Sequence, residues 1–217
     1  MAYQTVIFDL DGTLLNTLED LTDSVNYALK TCGYPPRTIE EVRAFVGNGV
    51  GLLVERSVPA GTAAGETERC LSVFKEHYAR NMRNKTRPYD GILPLLRELR
   101  ESGRKLAIVS NKFDAAVKEL RDDLFAAEIP VAIGESATVR RKPAPDTVWE
   151  ALRELGAEKK SAVYVGDSDV DVQTAHNAGL PCIGVTWGFR GREVLQSAGA
   201  DRIVDTPQEL LRLLTED

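Results

Sequence analysis

Two aspartates that follow a short apolar run are the residues of this chain best suited to chemistry. Asp9 and Asp11 come after the run Val6–Phe8 and ahead of Gly12. A run of β-branched and aromatic residues predicts a buried strand, and side chains two positions apart on a strand point the same way. Two carboxylates held this close repel each other unless a shared proton or a cation offsets their charge, and Mg²⁺ is the natural hard cation. The alternative is an exposed Asp-x-Asp-Gly turn that simply closes the strand.

Further polar side chains follow two later apolar runs or precede a predicted helix. In a doubly wound sheet the carboxyl ends of the strands meet at one crevice, so we expect these groups to lie together. Acids with a metal, a lysine and a hydroxyl form a set suited to a phosphoryl group, because metal and lysine offset the charge of its oxygens while the hydroxyl orients them. The predicted members of the crevice are Asp9, Asp11, Ser110, Lys142, Asp167 and Asp171.

Strands and helices alternate through most of the chain, which predicts an α/β fold with a doubly wound parallel sheet as its core. We predict strands over residues 3–10, 105–110, 130–133, 162–165, 182–185 and 202–204. We predict helices over residues 91–102, 114–121, 145–155 and 170–178, and a last helix capped by Thr206.

The segment after the first strand has helical spacing only. Apolar residues recur there at helical intervals, and capping boxes are predicted at Thr17–Asp20 and Thr38–Glu41. We expect four helices in this segment. The predicted domains are therefore an α/β core of residues 1–15 and 87–217 and an inserted helical cap of residues 16–86.

Composition excludes several classes of function. Hydrophobic residues make up 43% of the chain and charged residues 28%, as in ordinary soluble globular proteins. No apolar run approaches the roughly 18 residues that span a bilayer, and a net charge of −6 without a long basic run argues against nucleic acid. Three cysteines without a Cys-x-x-Cys pair fit a reducing cytosol, and a strand that starts near Met1 leaves no room for a signal peptide. We expect a cytoplasmic monomer or homodimer with no membrane and no nucleic-acid partner.

Four segments together resemble the ordered motifs of the haloacid dehalogenase superfamily. They are Asp-Leu-Asp-Gly-Thr-Leu from Asp9, Ser-Asn-Lys from Ser110, Lys-Pro-Ala-Pro-Asp from Lys142, and Gly-Asp-Ser-Asp-Val-Asp from Gly166. They occur in the superfamily's order and cover nearly the whole chain. The helical insert directly after the first motif is similar to the small α-helical cap of that superfamily. The resemblance implies a Rossmann-type core with a cap, and a hydrolase that uses Mg²⁺.

The resemblance also implies a role for each core residue. Asp9 would attack phosphorus and become an aspartyl phosphate, and Asp11 would protonate the leaving oxygen and then activate water. Ser110 would hydrogen-bond the transferring phosphoryl group, while Lys142 would neutralise it and position Asp9. An acid at position 11 implies a phosphate ester or anhydride, since the dehalogenase members, whose halide leaves without a proton, lack one.

The implied metal site and substrate site extend this set. Asp9, the backbone carbonyl of Asp11 and Asp167 would hold Mg²⁺, and Asp171 would support the metal's water or Lys142 from farther out. Backbone N–H groups ahead of a helix form a plausible anion seat, and the turn 47–49 is in that position. The candidate substrate-binding residues are Thr13, Asn111, Arg43, Gly47, Asn48 and Gly49.

The segment Phe45–Val50 and the chain length resemble the phosphoglycolate phosphatase branch, so a small phosphorylated metabolite, first of all 2-phosphoglycolate, is the expected substrate. Asn16 and Thr17 stand where many relatives have Asp-Ser, and Asn-Thr also occurs in relatives assigned to pyrophosphate cleavage. The alternatives are therefore an inorganic pyrophosphatase or another small phosphomonoesterase. A phosphomutase of the β-phosphoglucomutase type and a non-enzymatic phosphate-sensing module are less favoured.

Overall fold

The computed structural model describes residues 3–215. The chain divides into two compact units, one formed by Met1–Leu15 with Pro88–Asp217 and the other by Asn16–Arg87. Among the described residues, no helix combines the length and the apolar character needed to cross a membrane.

The first unit is built on a six-stranded parallel sheet. Its strands are β1 (Thr5–Phe8), β4 (Lys105–Phe113), β5 (Val131–Glu135), β6 (Ala162–Gly166), β7 (Cys182–Val185) and β8 (Arg202–Val204). The spatial order β5-β4-β1-β6-β7-β8 has β1 near the centre, and every pair is parallel. Two short strands, β2 (Leu15–Asn16) and β3 (Arg87–Pro88), form a separate two-stranded sheet. The predicted fold class, a doubly wound parallel α/β sheet, is confirmed.

The helices fall into two groups. The second unit contains α1 (Leu18–Cys32), α2 (Ile39–Phe45), α3 (Val50–Ser57) and α4 (Ala64–Asn81). The first unit contains α5 (Ile92–Glu101), α6 (Asp114–Leu124), α7 (Asp146–Leu155), α8 (Asp169–Ala178), α9 (Arg192–Ala198) and α10 (Pro207–Thr215).

Each unit has its own buried core. Strands β1 and β6 are buried along their whole length, as expected for central parallel strands covered by helices on both faces. In the second unit, α1 packs on α4, and the apolar positions Leu21, Val25, Phe74 and Tyr78 are all buried. Burial of such apolar side chains is the main favourable contribution to folding.

The first strand is shorter than predicted because the chain turns back after Asp9. The N–H groups of Leu14 and Leu15 both donate to the carbonyl of Leu10, at 3.0 and 2.9 Å, and that of Gly12 donates to Leu15 at 2.8 Å. The predicted strand over residues 3–10 is wrong at both ends, since β1 covers residues 5–8, and the turn accounts for the C-terminal end.

One of the two predicted capping boxes is present. Thr38 and Glu41 cap each other's backbone at the start of α2. The box predicted at Thr17 is wrong, because Thr17 has φ −105° and ψ 2° rather than the extended backbone of an N-cap, and its buried hydroxyl makes no hydrogen bond. The side chain of Asn16 accepts from Leu18 N there instead, at 3.3 Å.

Candidate active site

The ends of β1 and β6 and the first turn of α8 bring three carboxylates together. Oxygen atoms of Asp9, Asp167 and Asp171 all lie within 4.8 Å of one another, and all three residues are buried. Burial, together with the nearby charge of Asp171, raises the pKa of Asp9 well above its ordinary value, although Lys142 opposes the shift. The charged form of Asp9 is therefore disfavoured unless a cation compensates it.

Lys142 provides the opposing cation at the centre of this cluster. Its Nζ donates to Asp9 Oδ1 at 2.6 Å, to Asp171 Oδ1 at 2.7 Å and to the hydroxyl of Tyr164 at 3.1 Å. Burial acts to lower the pKa of Lys142, but the carboxylates of Asp171 and Asp9 outweigh it and raise that pKa above its ordinary value. An ammonium group has three hydrogens, so these partners use all of them.

Asp171 is held on both of its oxygens. Its Oδ1 accepts from Lys142 and from the Tyr164 hydroxyl, the latter at 3.0 Å. Its Oδ2 accepts from the backbone N and the Oγ of Ser168, at 3.1 and 2.6 Å, within a capping box that begins α8. The sequence analysis gave no role to Tyr164, because a tyrosine within a strand has no motif to mark it. It gave none to Ser168 either, although the spacing of Ser168 and Asp171 is that of a capping box.

Asp167 is held by the loop that follows β7. Phe189 N donates to Asp167 Oδ2 at 2.6 Å, and the Thr13 hydroxyl lies 3.4 Å from Oδ1. Burial and the charge of Asp171 raise the pKa of Asp167 to about 7, against the lowering effect of the Phe189 N–H. A Cβ at position 188 would lie 2.4 Å from Asp167 Cβ, so only Gly188 lets this loop approach so closely.

The second and third motifs are joined through Asn111. Its amide donates to the carbonyl of Lys142 at 3.0 Å, and its Oδ1 accepts from Lys142 N at 2.6 Å. Asn111 lies where the register of β4 against β5 shifts between Val109 and Phe113, and this irregularity departs from a plain strand. Buried Ser110, in the same stretch, accepts from the N–H of Lys112 at 3.2 Å.

Asp11 also lies in the first unit, with a second buried lysine beside it. Lys112 Nζ is 3.1 Å from Asp11 Oδ1, and the two side chains are 2% and 17% exposed. The approach lacks the alignment of a hydrogen bond, and Asp11 Oδ1 is a buried atom with no hydrogen-bond partner. The sequence analysis gave Lys112 no role.

The candidate cap residues lie in the second unit. The backbone φ is positive at Gly47 (116°), Asn48 (60°) and Gly49 (87°), in the turn that precedes α3. Arg43 lies in the last turn of α2. Their assignment to substrate binding stays a prediction.

The carboxylates fit a divalent cation. Asp9 and Asp167 are buried oxygen donors with raised pKa values, and hard cations such as Mg²⁺ prefer oxygen ligands. Asp171 fits the role of a direct ligand less well, because both of its oxygens already accept hydrogen bonds from the protein.

The sequence matches a known family over most of its length. The family model for haloacid dehalogenase-like hydrolases matches residues 6–185. The chain belongs to this family. The chain is therefore a hydrolase.

Individual relatives of this hydrolase are named phosphoglycolate phosphatases. It is 35% identical over 198 residues to a phosphoglycolate phosphatase of Mesorhizobium japonicum, with 89% of this chain and 87% of the relative covered. It is 31% identical over 212 residues to a phosphoglycolate phosphatase of Aquifex aeolicus, covering 97% and 96%. A crystal structure from Lactobacillus delbrueckii subsp. bulgaricus, provisionally named a phosphoglycolate phosphatase, superposes over 100% of both chains with a TM-score of 0.95 and 39% identity. The hydrolase is accordingly a phosphatase, acting on phosphoric monoesters.

Proposed function

We propose that this hydrolase is a Mg²⁺-dependent phosphatase of a small phosphorylated metabolite, with 2-phosphoglycolate as the first candidate, and that it works through an aspartyl phosphate on Asp9. The observation that carries the chemistry is the buried Asp9 carboxylate, 2.6 Å from Lys142 Nζ. The substrate rests on the names of its relatives, which are phosphoglycolate phosphatases.

Asp9 is the nucleophile of the proposed first step. Its Oδ1 accepts a hydrogen bond from Lys142 Nζ at 2.6 Å, and Oδ2 is the oxygen proposed to attack. A carboxylate oxygen attacks phosphorus, the bond to the leaving oxygen breaks, and the aspartyl phosphate forms. Lys142 keeps Asp9 in place and balances its charge, because a buried carboxylate without a counter-charge would take up a proton and lose its nucleophilicity.

Asp11 transfers the protons. Its carboxyl group gives a proton to the leaving oxygen in the first step and takes one from the attacking water in the second, so that the group is restored after each turnover. Asp11 is 17% exposed while Asp9 is 8% exposed, which fits a group that must meet both a leaving group and water.

The remaining residues bind and orient. Ser110 supplies a hydroxyl to the transferring phosphoryl group, and Asn111 keeps the Lys142 backbone at the site through paired hydrogen bonds. Asp9 and Asp167, with the backbone carbonyl of Asp11, would hold Mg²⁺, which supplies positive charge against the phosphoryl oxygens. Asp171 fixes Lys142 rather than the metal, since Lys142 and Ser168 occupy its oxygens.

The test is phosphate release from a panel of small phosphate esters and pyrophosphate, with and without Mg²⁺. We expect the highest kcat/KM for 2-phosphoglycolate, loss of turnover when a chelator removes Mg²⁺, and acid-quenched protein that carries phosphate on Asp9. A preference for pyrophosphate would favour the pyrophosphatase alternative. Transfer of the phosphoryl group to a sugar phosphate, without release, would favour a phosphomutase, and binding without turnover would favour a phosphate sensor.

A further inference from the structure

A buried lysine to which the proposed mechanism gives no role lies beside Asp11. The distance between Lys112 Nζ and Asp11 Oδ1 is 3.1 Å, and the lysine side chain is 2% exposed. Burying an ammonium group costs folding free energy unless a neighbouring group compensates its charge. The Asp11 carboxylate provides such compensation for Lys112, and the attraction between the two groups restricts where that carboxylate can lie.

The backbone fixes Lys112 from two sides. Its N–H donates to Ser110 Oγ at 3.2 Å, within the irregular part of β4. On the neighbouring strand β5, a Cβ at position 134 would lie 2.7 Å from the carbonyl oxygen of Lys112, so Gly134 is what allows the two strands to lie this close. The ammonium group is thus carried by a strand of the sheet rather than by a loop.

The other lysine of the site is not available to Asp11. The three hydrogens of the Lys142 ammonium go to Asp9, Asp171 and Tyr164. Asp11 Oδ1 is buried and has no hydrogen-bond partner, so the nearby charge of Lys112 is the interaction that favours its present orientation. The two lysines therefore serve different carboxylates, Lys142 the nucleophile and Lys112 the proton donor.

We propose that Lys112 is a positioning residue that holds the Asp11 carboxyl group in line with the leaving oxygen. This inference rests on the proposed function. As the bond between phosphorus and the leaving oxygen breaks, its electron pair stays on that oxygen and the Asp11 proton joins it, while an oxygen of Asp9 forms the new bond to phosphorus. Water then attacks phosphorus, the Asp9 bond breaks, and a proton of that water returns to Asp11. Lys112 keeps its own protons throughout.

The test is a double-mutant cycle of Lys112→Met and Asp11→Asn, measured as single-turnover phosphorylation by 2-phosphoglycolate and by p-nitrophenyl phosphate. Misplacing a catalytic group by about 1 Å can cost about 10²-fold, so we expect a loss of that order for Lys112→Met with 2-phosphoglycolate. The loss should be much smaller with p-nitrophenyl phosphate, whose leaving group needs no proton. Because Lys112 acts through Asp11, the double variant should lie within about twofold of Asp11→Asn alone.

Losses that multiply in the double variant, or that are equal for both substrates, would overturn the proposal, since they indicate direct phosphoryl binding or general structural damage. Lys118→Met is the matched control, because it removes an exposed lysine paired with Asp114 at 2.6 Å in the same unit, and it should keep wild-type rates.

If Lys112→Met melts below the assay temperature, Lys112→Gln and the charge-retaining Lys112→Arg replace it in the same cycle, and the arginine variant should recover more kcat than the glutamine variant. A wild-type protein without phosphatase activity would contradict the proposed function. An active wild type, with rate losses of the two single variants that multiply in the double variant, would contradict this inference alone.

Discussion

Lys142 Nζ and Asp9 Oδ1 are 2.6 Å apart although 133 positions separate the two residues in the chain. The pair is buried, and the same ammonium group also contacts Asp171 at 2.7 Å. One cation therefore faces two carboxylates in a low-dielectric site, with Asp167 close by. Burial, and after it the charge of Asp171, raise the pKa of Asp9 despite the contact with Lys142, and the excess of carboxylates would stabilise a further cation there.

Asp9→Asn should abolish turnover, because an amide is neither an anionic nucleophile nor a charged metal ligand. The measurement is phosphate release by the purified variant in excess Mg²⁺. Asp169→Asn is the control, since Asp169 lies in the first turn of α8 near the site but outside the carboxylate cluster, and it should keep activity. Near-normal turnover of Asp9→Asn would contradict the nucleophilic mechanism.

Asp11→Asn should slow turnover by about 10² to 10⁴-fold, the usual contribution of a general acid and base. Mg²⁺ affinity should change little, because the proposed ligand is the backbone carbonyl of Asp11. The comparison that decides is single-turnover phosphorylation by substrates whose leaving groups differ in basicity. The loss should shrink as the leaving group improves, and an equal loss for all substrates would count against Asp11 as the proton donor.

Lys142→Met should lower both the rate and the thermal stability, since it leaves the carboxylates of Asp9 and Asp171 buried without their shared cation. Mg²⁺ should therefore raise the melting temperature of this variant more than that of the wild type. Both quantities can be followed by thermal melts across a Mg²⁺ titration, together with turnover per folded molecule. Lower stability with unchanged turnover would leave Lys142 only a structural role.

Gly188→Ala should weaken Mg²⁺ binding by displacing Asp167. The added Cβ would lie 2.3 Å from the carbonyl oxygen of Gly12 and 2.4 Å from Asp167 Oδ2, so the loop or the carboxylate must shift. The Mg²⁺ concentration for half-maximal activity should rise. Gly191→Ala, where an added Cβ meets nothing within 4 Å, is the matched control and should behave as wild type. Equal Mg²⁺ dependence in the two variants would contradict the prediction that the added Cβ displaces Asp167 from the metal.

Bulkier residues at Asn48 and Gly49 should raise KM for 2-phosphoglycolate far more than for p-nitrophenyl phosphate. The turn has left-handed backbone at both positions, and its N–H groups precede α3, where an anion is favoured. A change in KM with kcat preserved marks lost binding with intact chemistry. Gly51→Ala is the control, because an added Cβ there meets nothing within 4 Å. Parallel changes for both substrates would contradict the assignment of this turn to the leaving group.

The sequence by itself determines the fold class and the segments that carry chemistry. Apolar runs that alternate with helical segments predict the parallel sheet, because a strand buried on both faces is a nearly continuous run of apolar residues. The helix Arg192–Ala198 was not predicted, because a seven-residue segment with a single buried residue, Leu195, shows no helical repeat of apolar residues.

Only the tertiary structure decides which groups pair within the site. Asp11 and Lys112 lie far apart in the chain, as do Asp171 and Lys142. No local pattern predicts that Lys142 contacts Asp9 and Asp171 while Lys112 lies beside Asp11. Tyr164 resembles any apolar strand residue until its hydroxyl is found on Lys142. Sequence periodicity reports which face of an element is buried, whereas hydrogen bonds and charge pairs depend on distances that exist only after the strands have been aligned.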